Sequence, residues 1–121
     1  MESILTSIKK LLGIEEEYTH FDADVIKHIN SVFFILAQIG VGPSKGFHIE
    51  DENQTWDDFI PDMSEKNLEL TKTYVYERVK LLFDPPTGSV VMQATKDITN
   101  EFEWRLNVAA ESMDFDSEEE I

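Results

Sequence analysis

Between Asp22 and Gly40 the apolar residues Val25, Ile29, Val32 and Leu36 recur at steps of four, three and four, which is the period of an α-helix. A second row, Ile26, Phe33 and Ala37, widens that stripe, and Phe34, Ile35 and Ile39 leave little polar face in the last two turns. A helix so apolar all round must be covered on most sides, by its own domain or by a partner subunit. Asp22 and Asp24 are candidate N-caps. Gly40-Val41-Gly42-Pro43 ends the helix, because glycine supplies a positive φ and proline cannot continue the hydrogen-bond ladder.

Three more segments carry the same period. Ile4, Ile8, Leu11 and Leu12 share one face of a short helix that Gly13 would close as a left-handed cap, and residues 15–20 bridge to the next element. Ser64 or Asn67 can open a helix with Leu68, Val75, Val79 and Leu82 on one face and Tyr74, Arg78 and Leu81 beside it, which Asp84-Pro85-Pro86 stops. Gly88-Ser89 starts the last helix, in which Val91, Ala94, Ile98, Phe102, Leu106 and Ala109 again follow the helical period. Glu101 and Arg105 lie one turn apart there in the favoured order, worth about 0.2 to 0.5 kcal/mol.

The periodicity fails over residues 44–64. Phe47-His48-Ile49 alternates like a very short strand, and Thr55-Trp56-Asp57-Asp58 fits a capping box opening one helical turn that Pro61 would close. A stretch of about 20 residues without regular structure is uncommon in a compact domain and is often a binding segment. Its residues Phe47, Ile49, Trp56, Phe59 and Ile60 imply tethering, either to the chain's own core or to a neighbouring copy. The chain from Glu111 onward is acidic, with isolated apolar residues Met113 and Phe115 and no helical stripe; it is expected to stay disordered in a free subunit. The fold class is therefore all-α: a four-helix, bundle-like domain over residues 1–110 with one long structured loop, and a flexible acidic tail over residues 111–121.

Composition narrows the function. The 121 residues suit one domain, and 41% apolar residues, including eight Phe, two Trp and three Tyr, can fill a core. The absence of cysteine removes disulfides, thiolate zinc and a cysteine nucleophile, and suits a reducing cytoplasm. Lys9 and Lys10 follow the first amphipathic run instead of preceding it, the wrong order for a signal peptide, and no apolar run approaches a membrane span, so neither export nor membrane insertion is expected. A net charge of −15, from 25 acidic and 10 basic residues, repels a phosphate backbone over most of the surface.

No catalytic, cofactor-binding or metal constellation emerges. His20, His28 and His48 lack any ligand spacing. Asp114, Asp116 and Glu118 alternate like the start of a calcium loop but lack its glycine and closing glutamate. No GxSxG elbow is present, and the glycines of residues 40–46 follow a helix without the spacing of a phosphate loop. Trp56, Tyr74, Tyr76, Phe83 and Trp104 read chiefly as core, with Trp56 a candidate interface anchor.

An ordered set of segments resembles a known family: Asp24-Val-Ile-Lys-His-Ile-Asn-Ser-Val-Phe, Gly40-Val-Gly-Pro, Gly46-Phe, Thr55-Trp56, Lys72-Thr-Tyr-Val-Tyr, Leu82-Phe-Asp-Pro-Pro86 and Glu103-Trp-Arg-Leu-Asn-Val108. Over residues 22–108 the chain is similar to the small head-tail connector proteins of tailed bacteriophages and of prophages in Gram-positive hosts. The resemblance implies a non-enzymatic adaptor, found in the virion and in the host cytoplasm during assembly. It implies a homo-oligomeric ring beneath the portal protein, joined to a tail-side completion protein, with DNA passing through its channel and no sequence-specific nucleic-acid contact. On that reading Phe47, Ile49, Trp56 and Phe59 of the loop (residues 42–61) face a neighbouring copy, and Met113 and Phe115 of the tail (residues 109–121) face the portal. Two rivals remain: an acidic inhibitor or DNA mimic occupying a basic site on a host enzyme, and a metal-dependent hydrolase using the acidic loop.

Overall fold

Five helices account for most of the chain in a computed structural model that describes residues 2–61 and 63–111. They are α1 (Ile4–Leu12), α2 (Asp22–Gln38), α3 (Trp56–Phe59), α4 (Glu65–Phe83) and α5 (Ser89–Glu111). The fold is all-α, with the single turn opened by Thr55 counted as a fifth helix. α5 runs through Glu111, the residue at which the acidic tail was expected to begin.

Most helix ends follow from local chemistry. Ser3 caps α1 by accepting from the Thr6 N–H, and Gly13 closes it at φ 85°. Thr55 and Asp58 form a reciprocal capping box around α3. Ser64 caps α4 by accepting from Asn67, which settles the choice between those two residues. Asp84 ends α4 immediately before Pro85. The start of α2 differs from expectation: Phe21 is its N-cap, without a side-chain hydrogen bond, and Asp22 is already helical. The carboxylate of Asp22 is turned instead to Lys9, whose Nζ lies 2.8 Å from Asp22 Oδ1. The same ammonium donates to Glu16 O at 3.0 Å and Tyr18 O at 2.8 Å. Lys9 is thus a buried cation that fixes the α1–α2 connection, a role its place in a basic last turn did not reveal.

α4 is the central element, touched by α1, α2 and α5, and α1 also packs on α2. The core joins Ile4, Leu5 and Ile8 of α1 to Val25, Ile29, Val32, Phe33 and Leu36 of α2 and to Tyr74, Val75 and Val79 of α4. α5 contributes Leu106 and the buried Thr99. The periodic rows are not inward along their whole length. Leu82 is exposed at the end of α4, and Val91, Ala94 and Ile98 of α5 face outward because that helix rests on α4 by its opposite side.

The loop between α2 and α4 packs on its own subunit. Phe33 is ringed by Phe59 at 4.6 Å, Phe47 at 5.4 Å and Trp56 at 6.3 Å between centroids. Trp56 Nε1 donates to Ser7 Oγ at 3.0 Å, and Ser7 Oγ donates to Ile4 O at 3.0 Å, so the indole carries no unpaired polar atom into the core. An isolated antiparallel bridge, Ser3 with Thr55, straps the N-terminus to the loop. Phe47-His48-Ile49 forms no strand; with no partner strand beside it, the side chain of Asn30 pairs with Ile49 instead. Gly42, at φ 95°, is required where the chain passes Phe59, since a Cβ there would lie 2.4 Å from Phe59 Cε1.

Candidate assembly interface

α5 is held to α4 by one polar cluster. Tyr74 Oη donates to Glu103 Oε1 at 3.0 Å, Arg78 Nη2 donates to the same oxygen at 2.9 Å, and Arg78 Nε donates to Tyr74 Oη at 3.0 Å. Burial pushes the Tyr74 phenol up to about 12, which keeps its proton on the hydroxyl for Glu103. The cluster fixes the rotation of α5, and with it the direction in which every other side chain of that helix points.

That rotation leaves an apolar face without cover. At 100° per residue, Val90, Ala94, Ile98, Trp104 and Val108 fall within an arc of about 120° on the outward side. Val90 is 80% exposed and Trp104 64%. Thr99, Leu106 and Ala110 lie on the opposite, inward side. The exposed Glu101–Arg105 pair, with N and O 2.6 Å apart, crosses the middle of the outward face. At the closed end of the α4–α5 hairpin, Leu82 and Val91 extend the apolar surface around the turn at residues 84–88. Single exposed apolar residues are ordinary; here five share one arc of one helix, interrupted by the charged Asp97, Glu101 and Arg105.

The residues expected at an interface are distributed otherwise. Ile49, Trp56 and Phe59 are buried in the subunit's own core, where they hold the loop's outer rim in place. Phe47 is half-buried and lines a groove along α2 together with the exposed Phe34. Met113 and Phe115 lie outside the described residues, as do Asp114, Asp116 and Glu118. Sequence reasoning missed the α5 face because it followed the row Val91, Ala94, Ile98, Phe102 and Leu106, left Val90 and Val108 out of that row, and took Trp104 chiefly as core. The missed signal was available: Trp104 and Val108 fall on the arc of Val90 and Ala94, apart from that of Leu106.

The arrangement offers contact surface more than chemistry. Among the described residues no group of three or more His, Asp or Glu side chains is placed to hold a metal ion, and no helix is long and apolar enough to cross a membrane. Searches of curated proteins and of solved structures find no match. The family model for phage connector proteins, by contrast, matches residues 4–113, nearly the whole chain. This chain belongs to the phage connector protein family.

The match takes in all five helices and the loop. The connector is a structural component of the virion and acts at the junction of phage head and tail with other phage proteins. Trp56 and Phe59 of its loop are buried within the subunit, and Val90, Ile98, Trp104 and Val108 of α5 are exposed on it.

Proposed function

We propose that the connector assembles as a ring of copies beneath the portal, extending the DNA channel, and that the outward face of α5 packs against the adjacent copy. The observation that carries this reading is the exposed row Val90, Ile98, Trp104 and Val108 on a helix whose rotation is fixed by Tyr74, Arg78 and Glu103. A ring needs a heterologous contact, in which one surface of a copy meets a different surface of the next. The rim of the loop (residues 42–61), held rigid by its own buried aromatics, serves as the second surface. The tail (residues 109–121) reaches the portal above, and a tail-side completion protein binds below. The net charge of −15 lets DNA pass without adhering.

The test is Trp104→Glu in the full chain, mixed with purified portal and followed by native mass spectrometry. The variant is expected to keep its helical content and to lose the multi-copy complex that the natural chain forms. An acidic DNA mimic would behave differently, binding a basic host enzyme as a monomer with affinity that falls steeply as salt is raised. Retention of the multi-copy complex by Trp104→Glu would remove α5 from the contact.

A further inference from the structure

A groove of about 500 Å³ runs along α2 beneath the loop that follows it, lined among others by Asn30, Phe34, Ala37, Lys45, Phe47 and His48. Its size falls within the range of cavities that bind a ligand or peptide side chains, and its lining includes Phe34 of α2, which is 65% exposed. We propose that in the unassembled subunit, before the tail reaches the portal, this groove is the docking site for residues 112–121 of the same chain, with Met113 and Phe115 seated on Phe34 and Phe47. The inference stands whether or not the connector closes into a ring.

Three observations identify the occupant. The first is position. A Cβ placed on Gly40 would lie 3.6 Å from Ala110 Cβ, so the end of α5 rests against the turn two residues past α2, three residues on from the groove residue Ala37. The second is reach. From Glu111, the last residue of α5, to Phe115 an extended chain covers about 13 Å, and the groove residue Phe34 lies about 6 Å along α2 from Gln38, so Phe115 can reach Phe34.

The third is pattern and charge. In the run Met113-Asp114-Phe115-Asp116 apolar and acidic residues alternate, so an extended segment would turn both apolar side chains to one side and both carboxylates to the other. The groove offers the complement, since Phe34, Phe47, Lys45 and His48 all line it. In a chain of net charge −15, Lys45 makes no ion pair among the described residues, and His48 has only Glu50, 3.6 Å away and exposed. An acidic, aromatic segment tethered beside the groove is the partner these features fit.

The experiment compares amide NMR spectra of the full natural chain with those of the full-length double variant Met113→Ser, Phe115→Ser. Docking predicts shifts at Phe34, Lys45, Phe47 and His48, with α1 and the start of α4 unchanged. The natural chain's spectrum should also be unaltered on dilution, because the contact is within one molecule. No change at the groove residues, or changes confined to α5, would overturn the proposal. So would groove shifts that vanish on dilution, which would mean that a second copy supplies the segment.

Discussion

The carboxamide of Asn30 closes on both sides of Ile49: its Nδ2 donates to Ile49 O at 3.0 Å and its Oδ1 accepts from Ile49 N at 2.8 Å. A residue in the middle of α2 thereby gives a loop residue the two hydrogen bonds that a neighbouring strand would otherwise supply, and Ile49 can be buried without leaving its peptide groups unpaired.

Asn30→Leu keeps a side chain of similar size but removes both bonds, leaving an N–H and a carbonyl unpaired at a buried position. The expected loss of stability is about 2 to 4 kcal/mol. Asn30→Asp keeps the acceptor and loses the donor, so it should be the milder change. Urea denaturation of the two variants checks the order, and equal midpoints for both and the natural chain would show that the loop is held by its aromatics alone.

Gly42 and Gly46 separate steric from conformational demand. Both have positive φ, 95° and 88°, but a Cβ at Gly42 would collide with the Phe59 ring, whereas at Gly46 it would meet open space. Gly46→Ala should cost only the left-handed penalty, about 1 to 2 kcal/mol. Gly42→Ala adds overpacking of about 1 to 3 kcal/mol on top of that penalty. Thermal unfolding should place Gly42→Ala clearly below Gly46→Ala, and identical melting temperatures would mean that the Phe33–Phe47–Phe59 cluster yields freely.

Tyr74 gives the fold an alkaline limit. Burial raises its pKa from 10.0 to about 12, so as pH climbs between those values the unfolded chain releases this proton before the folded chain does. The unfolded state then binds fewer protons and stability falls. The contribution is complete below pH 10 and gone by about pH 12, with a size of about 2 kcal/mol after allowance for its polar partners. Tyr74→Phe should flatten this limb of the stability curve, as measured by denaturant titrations on either side of pH 10. An unchanged alkaline slope in the variant would assign the effect to other groups.

Much of this architecture is legible in the sequence because its signals are local. Gly13, the Thr55–Asp58 capping box, Ser64 and Asp84-Pro85-Pro86 mark helix ends through contacts spanning a few residues, and each falls where its chemistry indicates. The departures come from tertiary partners. Asp22 gives up capping α2 because Lys9 from another helix claims its carboxylate, and Ile49 finds Asn30 where the described residues provide no second strand. The interface was the least legible part. A row of steps of four drifts by about 40° per step around a helix, so the row Ala94, Ile98, Phe102, Leu106 starts on the outward arc of α5 and ends on the inward one. Periodicity marked α5 as amphipathic, but only packing against α4 decides which apolar residues remain without a partner.

The most direct measurement is a cryo-electron-microscopy reconstruction of the connector bound to its portal, with the side chains of α5 resolved. The account predicts that Val90, Ile98, Trp104 and Val108 lie at the boundary between adjacent copies and are covered there. A reconstruction in which this face remains in solvent or lines the channel would contradict it.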